Sequence, residues 1–188
     1  MPPGAGASAP RGEIVALKGL DLEGAVKLQY INGVAQMEGL ETLNLKGLTI
    51  ESVAPAASLS QLTTLDLSGM EKLADIAPIC QLPRLKSLNL AGSRNAAGLG
   101  ALSGLTSLTR LDLAGCADLA DVAFVEKMPQ LTNINISNCL KVKDVYPLGK
   151  MVKLKEIDLR GCPNISEGDL AWLAGELPKC NIRKDKTK

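Results

Sequence analysis

The chain has 188 residues, no histidine, four aromatic side chains, and a net charge of +1 from 21 basic and 20 acidic residues. That length suits one packed domain and is short for two. The missing histidine excludes Ser-His-Asp and Cys-His catalysis, histidine-held zinc or haem, and a histidine pH switch, while few aromatics and balanced charge argue against base stacking and general phosphate-backbone binding.

Residues 1–13, rich in Pro, Gly and Ala, read as a disordered lead with no signal-peptide apolar core. No later apolar run approaches the ~20 residues of a membrane span. From residue 14 the motif L-x-x-L-x-L recurs as Leu17-Leu20-Leu22, Leu40-Leu43-Leu45, Leu62-Leu65-Leu67, Leu85-Leu88-Leu90 and Leu108-Leu111-Leu113. It continues as Leu131-Ile134-Ile136 and Leu154-Ile157-Leu159, and ends in a degenerate Leu177-Cys180-Ile182. Successive motifs are 23 residues apart, once 22. Other apolar columns keep the same phase, among them Ile31, Val53, Ile76, Leu99, Val122 and Val145. A period of this length marks a solenoid, because one coil cannot bury its own apolar residues and must stack on its neighbours. The fold class expected is therefore an α/β solenoid, right-handed, with about eight short parallel strands on the concave face. Turns or 3-10 segments form the convex face.

Within each repeat the columns have separate roles. Gly24, Gly47, Gly69, Gly92, Gly115, Asn138 and Gly161 follow the strands, where a turn needs positive φ. An outward column alternates as Asp21, Asn44, Asp66, Asn89, Asp112, Asn135, Asp158 and Asn181. Its central members Asp66, Asn89, Asp112, Asn135 and Asp158 read as a structural ladder, each Asn separating two carboxylates and donating to both. Calcium needs six to eight converging oxygens, which parallel side chains do not offer. Cys116, Cys139 and Cys162 share the column after the glycines and read as buried, reduced and metal-free. Small groups and thiols there leave the turn amides to other partners or water. Repeat four, with Gly92, Ala96, Ala97, Gly98 and Gly100, is expected to be the loosest. Ser166 and Asp169 predict a capping helix near residues 166–175, closing a repeat domain of 14–182 before a basic tail of 183–188. The opposite end, near Ile14, Leu17 and Val26, lacks such a cap, so either the lead or a partner covers it.

No phosphate-binding loop, close cysteine pair or nucleophile with a base occurs, so the chain is expected to be no enzyme and to hold no cofactor or metal. Five cysteines without tight pairing fit a reducing compartment. Solenoids expose an extended surface suited to recognising another macromolecule. Arg110, Lys155, Glu156, Arg160, Lys179 and Arg183 fall on the last rungs and mark the expected partner-binding patch on the concave face.

Across residues 14–182 the chain resembles the leucine-rich-repeat proteins. Asp75-Ile76-Ala77-Pro78-Ile79 and Asp144-Val145-Tyr146-Pro147-Leu148 resemble the D-I-x-P-L segment of the phosphatase-1-regulator-like and internalin-like subclass, here with 23-residue repeats, some bearing cysteine. The resemblance implies short convex segments rather than long helices, and a non-catalytic protein-protein interaction module acting as an adaptor or as a structural subunit of a larger assembly. Alternatives it implies are a regulatory subunit of a protein phosphatase and a surface adhesion protein, the latter disfavoured by the free thiols and the lack of a signal peptide. The expected partner is another protein; nucleic-acid contact inside a ribonucleoprotein particle stays open without support from net charge, and no membrane contact is expected. The expected location is the cytoplasm, or else a cilium or a ribonucleoprotein particle.

Overall fold

Each leucine motif becomes one three-residue strand: β1 (Gly19–Asp21), β2 (Thr42–Asn44), β3 (Thr64–Asp66), β4 (Ser87–Asn89), β5 (Arg110–Asp112), β6 (Asn133–Asn135), β7 (Glu156–Asp158) and β8 (Asn181–Arg183). The structure is a computed structural model and describes residues 17–93 and 98–185. The expected lead, Ala96 and Ala97 of repeat four, and the last three residues of the basic tail lie outside the described residues. All eight strands form one parallel sheet in chain order. Equivalent positions pair across it, as in Leu65 with Leu88 and Leu88 with Leu111.

The middle residue of each strand points inward, and from Leu43 to Ile157 these side chains are at most 2% exposed. The leucines that open the motifs, Leu40, Leu62, Leu85, Leu108 and Leu131, are fully buried. Parallel pairing turns identical positions into continuous apolar rows, so every coil completes the core of the coil before it.

The chain returns through 3-10 segments at Asn32–Gln36, Ala54–Ser58, Ala77–Ile79, Leu99–Gly104 and Ala123–Lys127, and through one short helix, α1 (Tyr146–Gly149). Pro55, Pro78 and Pro147 open three of them, where the absent N–H costs nothing. Asp75, Asp121 and Asp144 each accept the N–H two residues on, at 2.7–2.8 Å, which fixes the entry into the segment. This is the convex arrangement the repeat predicts.

The strand-to-return turn adopts positive φ in every repeat with a described turn, for example 68° at Gly115 and 58° at Asn138. The turn amides do not need water. Gly47, Gly69, Gly92, Gly115 and Asn138 each donate to a carbonyl of the following coil at 2.7–2.8 Å, the other partner expected beside their small neighbours. Sheet-like bonding therefore runs on past the strand ends.

The last coil departs from the regular step. Ile182 pairs with Ile157 and Arg183 with Asp158, two residues out of line with the spacing that would set Ile182 against Leu159 and Asn181 against Asp158. The cause is α2 (Glu167–Glu176), which replaces the short return segment. Ser166 caps it, accepting from the Asp169 N–H at 3.0 Å and donating to the Asp169 carboxylate at 2.6 Å. Leu173 is fully buried under it, and Trp172 packs on Tyr146 of α1 with ring centroids 4.4 Å apart. In this shifted coil Gly161 donates not to a backbone carbonyl but to the Asp185 carboxylate, at 2.9 Å. At the other end Leu17 and Val26 are 38% and 66% exposed.

The contact between α1 and α2 depends on Gly149, where an added Cβ would run into the Trp172 ring. Gly149→Ala is expected to lower stability by about 1–3 kcal/mol through overpacking. Gly33→Ala, with open space around the added carbon, is expected to lie within about 0.5 kcal/mol of wild type. Urea melts of the two variants check this.

Candidate functional site

The outer face of the sheet carries two columns of side chains. The first strand position presents Gly19, Thr42, Thr64, Ser87, Arg110, Asn133, Glu156 and Asn181; the third presents Asp21, Asn44, Asp66, Asn89, Asp112, Asn135, Asp158 and Arg183.

The third column is a ladder, but of paired rungs. Each carboxylate or amide oxygen from Asp21 to Asp158 accepts the backbone N–H two residues on, as Asp66 does from Ser68 at 2.8 Å and Asn89 from Ala91 at 3.0 Å. The second oxygen of Asp66 accepts from the Asn89 amide at 3.0 Å, and that of Asp112 from the Asn135 amide at 3.1 Å. Asn89 and Asn135 thus each serve the Asp before them alone, because their own oxygens are held by the turn, while the Asn44 amide donates to Glu23 at 3.4 Å. Bridging to both neighbours, and a place for Asn181, are corrected by this geometry. Asp158, 5% exposed, is held instead by Arg160, whose Nε lies 2.9 and 3.1 Å from the two oxygens and whose Nη2 lies 2.5 Å from one. The Arg160 hydrogen bonds hold the Asp158 carboxyl below its usual range.

The six expected partner-binding residues divide. Arg110, Glu156 and Arg183 line one shallow trough of about 330 Å³ with Ser87, Asn89, Asp112, Asn133, Asn135 and Asp158. Within it Glu156 is held by Arg183 at 2.6 Å and by the Asn133 amide at 3.0 Å. Arg160 stands past the strand end, bound to Asp158, and Lys179 lies in the turn before β8. Lys155 precedes β7 and is exposed, as is Arg110, and neither has an ion-pair partner among the described residues. Lys86, three coils before Lys155 in the same column, is exposed and equally unpaired. The sequence places it outward but gives no sign that it stands apart from arginines consumed by their neighbours.

Thiols fill the column behind the turns. Cys116, Cys139 and Cys162 are at most 7% exposed and unbridged. They donate to the carbonyls of Leu90, Leu113 and Ile136 at 3.4, 3.2 and 3.1 Å, as Ser93 does to Leu67 at 3.3 Å. Burial pushes the Cys116 thiol up to about 11 and that of Cys139 up to about 12. Cys80 lies buried beside its return segment, its thiol 3.2 Å from the Ile76 carbonyl. Among the described residues no group of three or more Cys, Asp or Glu converges as a metal site.

The same architecture occurs in solved structures. An internalin (inlF) from Listeria monocytogenes superimposes with a TM-score of 0.80 over 95% of this chain and 51% of its own, at 25% identity. Internalin C2 from the same organism gives 0.72 at 20% identity over 93% of this chain and 84% of its own. A leucine-rich-repeat protein from Leptospira interrogans gives 0.52 at 16% over 89% of this chain and 60% of its own. The chain spans about half the length of the first of these. No family model matches the chain, and no curated protein matches it by sequence. The fold is a leucine-rich-repeat solenoid, similar to that of the internalins. That likeness supports, in general terms, a protein-protein interaction module.

Two outcomes follow from the polar contacts. Native protein at pH 8 is expected to leave Cys116 and Cys139 unmodified by a thiol reagent until it unfolds, read by mass spectrometry after timed labelling. Arg160→Gln is expected to raise the Asp158 pKa toward 3.8, its ordinary value, followed by carboxyl NMR. The depressed folded pKa means that the stabilising effect is present above that ordinary value and is lost as pH falls through the folded one. The gap in stability between wild type and variant should therefore close on acidification.

Proposed function

We propose that the protein is a non-catalytic interaction module that binds another protein on the outer face of its sheet, as an adaptor or as a fixed subunit of a larger assembly. The observation that carries this reading is the open sheet face. Eight rungs present side chains there, and no other described element covers them. The five unbridged cysteines favour a reducing compartment, the cytoplasm or a particle within it. The likeness to internalins is the one observation that favours a surface-adhesion role instead.

Ser87→Tyr and Thr64→Tyr place bulk at the centre of the face, at sites with no side-chain hydrogen bond in the fold. They are expected to weaken capture of the native partner at least tenfold, with the melting temperature unchanged. Val152→Asp, at a residue 84% exposed on the return side, is the control and should retain the partner. Co-purification with quantitative mass spectrometry makes the measurement. Release by the control alone would move the working surface off the sheet.

A further inference from the structure

The two signs of charge on the sheet face are not equally available. Each acid there already holds a hydrogen-bond or ion-pair partner: Asp21 the Glu23 N–H at 2.9 Å, Glu41 Lys18 at 2.8 Å, Asp66 and Asp112 turn amides and Asn side chains, Glu156 Arg183 and Asn133, and Asp158 Arg160. Those contacts also consume Lys18, Arg160 and Arg183. What remains unpaired are Lys86, Arg110 and Lys155, all exposed. The threonines between them do not compete, because the Thr109 and Thr132 hydroxyls donate to the carbonyls of Lys86 and Thr109 at 2.9 and 3.0 Å.

Resting on the reading that the sheet face binds a protein, we propose that its partner presents an extended acidic segment running across the strands from Lys86 to Lys155. Coils repeat every ~4.8 Å across a sheet, so this strip is about 14 Å long. An extended chain rises ~3.4 Å per residue with alternate side chains on one side, so acids at i, i+2 and i+4 span about 14 Å as well. The pattern that matches the strip is therefore Glu-x-Glu-x-Glu, with the central acid about 2 Å beyond the Arg110 coil along the strip and within reach of that long side chain, whose planar guanidinium suits a carboxylate. Nucleic acid fits the face less well. Phe124, Tyr146 and Trp172 lie in return segments or helices and Tyr30 in the connection just before Asn32–Gln36, so no ring is placed on a strand for a base to stack on.

The test uses the full chain and fluorescent dodecapeptides of alternating Glu-Ser, Gln-Ser and Lys-Ser, with poly(U) as a fourth probe. The Glu-Ser peptide is expected to bind in an anisotropy titration, more weakly as salt rises from about 0.05 to 0.5 M. Lys86→Glu, Arg110→Glu and Lys155→Glu together should cut that binding at least tenfold, and Lys143→Glu on the loop side should not. The proposal is overturned by absence of Glu-Ser binding, by equal binding of Gln-Ser, by binding indifferent to the triple variant, or by poly(U) binding that requires the same three cations. The native partner separates this from the broader reading. If Ser87→Tyr releases it and the triple charge reversal does not, the sheet face still binds a protein but the acidic segment is wrong.

Discussion

Every feature of the molecule depends on stacking in register at a fixed period. A coil of about 23 residues has too little interior to bury its own Leu, Ile and Val, and only parallel pairing at identical positions closes the gap. A slip of one residue along a strand would turn the inward Leu or Ile toward solvent and the outward Asp or Asn toward the core. Pairing such as Leu65 with Leu88 is thus a condition for having a core at all. The scarcity of aromatics follows from the same constraint, since coils a strand spacing apart leave room for aliphatic rows rather than stacked large rings.

Stacking also decides how the polar groups are satisfied. Turn amides from Gly47 to Asn138 donate to the next coil, while Ser93, Cys116, Cys139 and Cys162 donate to the previous one. No buried side-chain nitrogen or oxygen among the described residues lacks a partner. A thiol is a weak donor, yet at this position it needs only to meet one carbonyl and fill a small space. Asp and Asn divide the outward column for a similar reason: each oxygen that fixes its own turn leaves one further group free to meet the neighbouring rung.

A stack has two ends, and they differ. At the C-terminal end of the described stack, α2 and Trp172 supply apolar contact and Asp185 accepts the Gly161 N–H. The helix shifts β8 by two residues and brings Arg183, rather than Asn181, beside Asp158. The change at the edge then reaches the sheet face, because Arg183 at its new place neutralises Glu156.

The sequence by itself determined the solenoid, its eight strands, the positive-φ turns and the 3-10 returns, since each is a periodic property and a single coil already contains the whole pattern. It also placed the thiols in one buried column. It did not determine which charges are free. Arg110, Arg160 and Arg183 look alike in the chain, yet of the three Arg110 alone forms no ion pair with a described residue; Arg160 folds back on Asp158, and Arg183 meets Glu156 through a register set by the capping helix. Lys86 gains its place beside Arg110 and Lys155 only once the four coils from β4 to β7 are stacked. Burial follows from the local pattern of each coil, whereas charge pairing depends on distances between coils, and those distances exist only in the tertiary structure.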